Sequence, residues 1–409
     1  MPSGGVDCWR LPTRLMSRNS SRVLARTICE KATPPTMKSA LLIGGGGPTG
    51  PHIARGLVER GFGLTLLNRG IHSAPGLPAH ELIRADPHFP DALDQALRGR
   101  EFDLVIATYG RTRHAAQVLA GRCARFLAVG GTPVYVGQMM PGRLRPFGAR
   151  VPLRETDQLA DRVNETDRNA GEFSHLVWQT EQAILRLHEK GAFAATLFRY
   201  PRIYGPRQLV PVEWSIVKRV RDGRRQMILA DGGLTIQARC AARNAAQFIL
   251  LALDRPEASN GQIYNCADDV QVTWRQLMEE INAIMDGDMA MLSMPERLAG
   301  ATLGYATLQD QSSHVFLDIT KARLELGYAD VIEPRVALEE TVAWLLENPI
   351  ADSAFPYDRF DYAGEDRLIA AYQSAMEEVE YANPCFQPVP VHAYPHPREP
   401  GLRKDHKGR

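Results

Sequence analysis

The residues most able to do chemistry begin at a run of four glycines, Gly44-Gly45-Gly46-Gly47, followed by Pro48-Thr49-Gly50. An apolar run, Ala40-Leu41-Leu42-Ile43, enters it. A helical pattern leaves it at Ile53, Ala54, Leu57 and Val58, with Gly61 as the stop. Strand, glycine turn and helix, in that order, is the context in which a dinucleotide pyrophosphate meets the first amides of a helix. Glycine allows the tight turn and the close approach. The helix N-terminus supplies unpaired N–H donors and partial positive charge. Two registers fit: Gly45, Gly47 and Gly50 read as GxGxxG, whereas Gly44, Gly47 and Gly50 read as GxxGxxG. The next apolar run ends in Asn68-Arg69, where an NAD site carries an acid for the ribose 2′-hydroxyl. An arginine there suits a 2′-phosphate, so the sequence favours NADP over NAD; a solvated loop arginine is the alternative.

Short apolar runs at 63–69, 81–86, 102–108, 125–129, 194–200 and 262–266 read as further strands. Helical patterns fall between them at 91–97, 114–120, 173–189, 214–220 and 244–253. That alternation predicts an α/β fold, a doubly wound parallel sheet covered on both faces. Ligands of such sheets sit at the carboxyl ends of strands, which places Ala107-Thr108-Tyr109 and Gly131-Thr132 near the cofactor. Thr273 with Gln276 forms a capping box for a helix over 274–284, and 336–346 is the last core helix. Residues 201–206 and 231–233 read as turns.

The 409 residues are 44% hydrophobic and 23% charged, with a formal net charge of +1. Near-neutral charge gives no argument for nucleic acid or an anionic membrane. No run of 18 apolar residues is present, so no transmembrane helix is expected. The 6 cysteines are scattered without a CxxC pair, which fits a reduced, cytoplasmic protein and no zinc site. Residues 1–36 carry Arg10, Arg14, Arg18, Arg22 and Arg26 at four-residue intervals. They read as a disordered extension or a start codon assigned too far upstream, with a transit peptide as the alternative. The expected division is 37–205 for dinucleotide binding and 206–350 mainly for substrate, with some segments returning to the first. A C-terminal helix and a tail rich in proline, histidine and base occupy 351–409. His392, His396 and His406 lack the regular spacing of metal ligands, so no metal is expected.

In this setting the chain resembles the extended short-chain dehydrogenases, the NAD(P)-dependent epimerase/dehydratase group, over roughly residues 38–348. The resemblance rests on Gly50-Pro51-His52, Asp86, Arg199-Tyr200-Pro201-Arg202-Ile203-Tyr204-Gly205-Pro206, Gly261-Gln262-Ile263-Tyr264-Asn265, and 318–328. It implies a Rossmann-like domain with a smaller C-terminal α/β substrate domain, NADP or NAD as cofactor, and a homodimer built on a helix pair that includes 173–189. It also implies Gly44, Gly47, Pro48, Thr49 and Gly50 at the pyrophosphate, Asp86 at the adenine, and Ala107 and Thr108 beside the cofactor ribose.

The chemistry departs from that group. Its usual proton relay is a Ser/Thr after the fifth strand and a YxxxK pair on the next helix, the tyrosine acting as general acid/base. Counting back from Glu181, the tyrosine position falls on Phe173 and the lysine position on Val177; the Ser/Thr position falls on Gly131, with Thr132 adjacent. Three readings follow. The first is an oxidoreductase or epimerase with a non-standard proton donor, the candidates being Thr132, Tyr135 and Tyr204, with Tyr109 and His175 behind them. The second is hydride transfer in which the substrate supplies its own acidity. The third is a dinucleotide-binding sensor or partner subunit without redox chemistry. The substrate, a small carbonyl, hydroxyl or sugar-nucleotide-like molecule, is expected near Tyr109, Arg207 and Trp214. Arg199, Arg202 and Arg207 would suit a phosphate, and Arg202 and Arg207 read equally well as surface residues.

Overall fold

A computed structural model describes residues 37–70, 76–108, 110–139, 141, 144–161, 168–299, 313–356 and 358–382, without the side chains of 168–171. The expectations for residues 1–36, Tyr109 and the tail with His392, His396 and His406 lie outside the described residues. The chain divides into two units, Met1–Met37 and Lys38–Arg409, and every element named below belongs to the second.

The strands are β1 (Ser39–Ile43), β2 (Gly63–Asn68), β3 (Glu81–Arg84), β4 (Phe102–Ala107), β5 (Cys123–Gly131), β6 (Ala194–Tyr200), β7 (Arg202–Tyr204), β8 (Gln226–Ala230), β9 (Arg239–Ala241), β10 (Gln262–Asn265) and β11 (Ala290–Met294). Seven of them form one sheet in the order β10-β6-β5-β4-β1-β2-β3, parallel throughout. Alternate side chains feed two cores. Ala40, Leu42, Leu66, Ile106 and Phe198 face one, and Leu41, Ile43, Leu67, Val105 and Leu197 face the other. Burial on both faces is why these strands read as continuous apolar runs.

The first face is covered by α1 (Gly50–Glu59) and, later in the chain, by α6 (Ala242–Asp254), through Ile53, Leu57 and Phe248. The second face is covered by α2 (Pro90–Ala96), α3 (Thr112–Val118) and α4 (Arg168–Glu189), through Leu93, Ala115 and Ile184. Between α3 and α6 in chain order lies α5 (Trp214–Arg221), which belongs to a separate core. That core holds Val212, Trp214, Met227, Trp274 and Leu338. Two short parallel pairs, β8 with β11 and β7 with β9, complete the fold. The expected turn at 201–206 contains β7, and β8, β9 and β11 carry no strand signal long enough to read from sequence. The capping box is present: the Gln276 N–H donates to Thr273 Oγ1 (3.2 Å), and the Thr273 N–H donates to Gln276 Oε1 (2.8 Å).

Among the described residues no helix is long and apolar enough to cross a membrane, and no group of His, Cys, Asp and Glu is arranged to hold a metal.

One acid behind the sheet gives a pH signature. Asp330 accepts from the Tyr328 hydroxyl (2.7 Å) and the Asp269 N–H (3.0 Å). Burial, aided by the Asp268 charge, pushes it from 3.8 up to about 6. A carboxyl raised on folding binds its proton more tightly in the folded chain, so its ionisation opposes folding. The contribution is full below the unfolded value of 3.8 and is lost as pH rises through about 6. Asp330→Asn should therefore gain thermal stability relative to wild type between pH 4 and pH 7. Parallel melting curves across that range would remove the assignment.

Candidate functional site

The sheet reverses its winding between β1 and β4, which leaves a crevice at their carboxyl ends. The glycine turn fills the mouth of that crevice. Gly44 takes φ +94°, a left-handed backbone that side chains disfavour. Its N–H donates to the Leu67 carbonyl (3.2 Å), and the Gly47 N–H donates back to the Gly44 carbonyl (3.1 Å). At Gly50 a Cβ would stand 2.2 Å from the Gly45 carbonyl oxygen, so only glycine lets α1 start this close to the turn. Gly47 has nothing nearer than 3.7 Å to such a Cβ, which leaves its backbone open to a ligand. Gly45 instead packs onto Leu66 and Leu42. Of the two registers, the geometry uses Gly44, Gly47 and Gly50.

A cavity of about 790 Å³ runs from this turn across the strand ends. Gly44, Gly47, Pro48 and Thr49 line its floor, Asn68, Arg69 and Gly70 one flank, and Thr108, Val129 and Thr132 the middle. Its far wall is 200–203 with 207–210, closed by Trp344. The Thr108 hydroxyl donates to the Ile43 carbonyl (3.1 Å) and stitches β4 to β1 at the crossover. Asn68 Oδ1 accepts from the Gly70 N–H (2.7 Å), which shapes the loop that carries Arg69. The Arg84 side chain lies against Gly70, its Nε 3.2 Å from where a Cβ would stand.

Two cofactor expectations are corrected by position. Ala107 is fully buried in the sheet core and takes no part in the cavity wall. Asp86 is turned onto His88, accepting from its N–H (3.0 Å) and Nδ1 (2.7 Å), and Pro87 forms the wall instead. Those two bonds, with the Arg69 charge behind them, hold the Asp86 carboxyl below its usual range.

The proposed proton donors separate. Thr132 lines the cavity although little of it is exposed. Tyr135 does not line it. Its hydroxyl donates to Asn265 Oδ1 (2.7 Å) and accepts from Arg199 Nη1 (2.9 Å). Burial pushes that phenol up to about 12. Tyr204 is corrected in the same way: it is buried, its hydroxyl donates to Asp268 Oδ2 (2.8 Å), and burial raises it far above the ordinary phenol value. A phenol raised by burial and already donating to a carboxylate holds its proton through neutral pH and is a poor acid for a ligand. His175 lies off the cavity, with Nδ1 on the Ala160 carbonyl (3.0 Å) and its ring stacked on Trp178. Trp214, expected near substrate, is fully buried in the second core.

The face of α4 accounts for the missing relay. Phe173, Val177 and Glu181 follow at four-residue intervals and so share a face. Phe173, 50% exposed, lines the cavity. Val177 packs against the sheet. Buried Glu181 takes two hydrogen bonds from buried Arg199 (2.9 and 2.8 Å). The resemblance assigns a tyrosine and a lysine to the first two of these positions; here a phenyl ring lines the cavity and the valine is packed outside its lining. Its described lining holds Arg69, Arg202 and Arg207 but no Asp, Glu, His, Lys or Cys. Tyr200 is its one lining phenol, and that hydroxyl is spent on the Ala245 carbonyl (2.7 Å). Sequence reasoning missed Gln138, Gln237 and Trp344, which lie in three separate segments and enter the wall only through the fold.

No family model matches the chain. An uncharacterised protein, y4nL of Sinorhizobium fredii (strain NBRC 101917 / NGR234), is 31% identical over 173 residues, covering 37% of this chain and 47% of that protein. The chain thus spans about half the length of this curated relative. Among solved structures, the UDP-glucose 4-epimerase of Thermotoga maritima with UDP-glucose aligns at TM-score 0.58 and 17% identity, over 76% of this chain and 99% of that one. The UDP-glucuronic acid 4-epimerase of Bacillus cereus, with UDP-glucuronic acid and NAD, aligns at TM-score 0.58 and 14% identity over the same shares, 76% and 99%. The dTDP-glucose 4,6-dehydratase of Bacillus anthracis, with NAD, aligns at TM-score 0.57 and 13% identity, over 76% and 97%. This chain shares the Rossmann-like α/β fold of these epimerases and this dehydratase.

Proposed function

We propose that the chain binds a nicotinamide dinucleotide and acts as an oxidoreductase or epimerase on a small carbonyl, hydroxyl or sugar-nucleotide-like substrate. The observation that carries this reading is the single cavity joining the glycine turn to the wall at 207–210. The cradle fits the cofactor through the glycine turn: Gly47 is bare and Gly50 is packed tight, whereas the first amides of α1 are bonded within the turn or absent at Pro51. When bound, the nicotinamide supplies a reversible hydride site. The protein's own part is to orient. Thr108 fixes the crossover, and Thr132 and Phe173 line the cavity, where in this reading the Thr132 hydroxyl would meet a substrate oxygen. Thr132→Val should slow turnover.

NADP is the preferred form in this reading. Arg69 and Arg84 both lie at Gly70, and the Asp86 carboxylate near Arg69 is turned onto His88. A guanidinium forms strong charge-assisted bonds to a phosphate and gains little from a ribose hydroxyl. Arg69→Asp should weaken NADPH binding about tenfold or more, on the scale of one lost charged hydrogen bond, and leave NADH nearly unchanged. Fluorescence titration with each nucleotide checks this, and equal losses would sink the 2′-phosphate assignment.

A second reading, dinucleotide binding without turnover as a sensor or partner subunit, is favoured by one observation. Phe173 and Val177 stand where the resemblance places a proton relay, and no Asp, Glu, His, Lys or Cys lines the cavity among the described residues. Tight NADPH binding with no consumption across a carbonyl panel would select it. A homodimer built on a helix pair that includes 173–189 belongs to either reading; Leu176 on α4 is exposed.

A further inference from the structure

The far wall of the cavity contains a turn with two buried side-chain polar atoms that have no protein partner. The Gln208 N–H donates to the Gly205 carbonyl (3.1 Å), closing a turn over 205–208 with Arg207 at its third position. Arg207 takes φ +69°, a left-handed backbone rarely occupied by residues other than glycine. Strain of this kind persists where the surroundings enforce it and gathers at ligand sites. Arg207 Nη1 is buried and has no hydrogen-bond partner.

Gln208 is 7% exposed, and its side chain is oriented from behind. Its Nε2 donates to Glu213 Oε2 (2.7 Å), and the other Glu213 oxygen is bound by buried Arg239. A carboxylate only accepts, so this bond fixes which end of the amide is nitrogen. Gln208 Oε1 is then the end left over, and it has no partner. Both residues line the cavity. Unpaired buried donors and acceptors are costly, so their natural complement is a ligand. Solvent does not reach either atom, so contact requires the wall to move. Leu209 between this turn and α5 is 70% exposed.

We propose that this turn recognises a ligand carrying an oxyanion close to a hydroxyl. Arg207 takes the oxyanion, and Gln208, held by Glu213, accepts from the hydroxyl. Phosphorylated sugars and sugar acids share that chemistry. The assignment rests on the far wall being the substrate half of the cavity, and it makes Gln208 the residue that separates polyols from bare anions. A hydroxyl-reading acceptor discriminates because the analogue without the hydroxyl leaves it unpaired.

Calorimetric titration of the full chain with glucose 1-phosphate, glucuronate and inorganic phosphate tests it. Wild type should bind both hydroxylated ligands more tightly than phosphate. Gln208→Leu should weaken glucose 1-phosphate and glucuronate about tenfold and leave phosphate unchanged, and Arg207→Gln should weaken all three. Losses that are equal for all ligands in Gln208→Leu, or absent, overturn the role of Gln208; no binding of any ligand by wild type overturns the proposal outright. NADPH titration of the same samples separates the two layers. Retained NADPH binding with no sugar selectivity rejects this turn alone, and loss of NADPH binding in wild type rejects the dinucleotide reading.

Discussion

Glu181→Ala should destabilise the protein by about 3–5 kcal/mol, the usual cost of stripping one partner from a buried ion pair. Arg199 has no route to solvent, and Glu181 takes both its Nε and Nη2 hydrogen bonds. Its remaining N–H reaches only the Tyr135 hydroxyl and the Glu155 carbonyl (each 2.9 Å). Removing the carboxylate leaves a guanidinium charge in the interior with neutral company. Charge attraction and burial oppose one another at Arg199: burial lowers its pKa, and Glu181 more than restores it. The loss should reach the cavity, because the same cluster ties α4 to β6, to β10 and to the segment after β5 through Tyr135 and Asn265. Urea unfolding checks the magnitude, and a loss under about 1 kcal/mol would show that the pair is replaceable by water. The double change Glu181→Leu with Arg199→Met is the sharper comparison. It removes both charges together and should come much closer to wild type than either single change.

Phe173→Tyr combined with Val177→Lys should raise hydride transfer about 10²–10⁴-fold, the range general acid–base catalysis typically contributes. The first change adds one oxygen to a half-exposed ring that already lines the cavity. The second places an ammonium one helical turn further along the same face, where a lysine stem can cover the sheet surface while its head reaches out. A cation beside a phenol favours the phenolate and brings its pKa toward neutrality. Oxidation of NADPH against a panel of carbonyl compounds reads the gain. If the double variant binds NADPH as wild type does but turns over nothing, the cavity lacks the geometry for hydride transfer, and the binding-only reading stands.

How far the sequence carried the reading depends on how local each cause is. The parallel strands were legible because burial on both faces writes itself as unbroken apolar runs, as in Leu41-Leu42-Ile43. The capping box at Thr273 was legible because both its bonds close within three residues. The glycine register was not. Four adjacent glycines are equivalent as letters, and only the φ of Gly44 and the packing of Gly45 on Leu66 and Leu42 tell them apart. Tyr135 and Tyr204 were misassigned for a different reason. Their hydroxyls are consumed by Asn265 and Asp268, distant in sequence and invisible to any spacing rule. Trp214 beside the cavity segment is the same case, since α5 turns it inward. The short strands β8, β9 and β11 exist because tertiary pairing supports three to five residues that would not hold alone.

The anchor of α4 is two helical turns away from its tip. Glu181 sets the rotation and height of the helix from below, so what stands at position 173 has no part in holding it there. Architecture and reactivity are therefore decoupled along one rod. The end that meets the ligand can exchange a phenol for a phenyl without the scaffold registering the change. A protein built this way can fall silent as a catalyst while remaining fully competent as a receptor, and could be returned to catalysis by altering its tip alone.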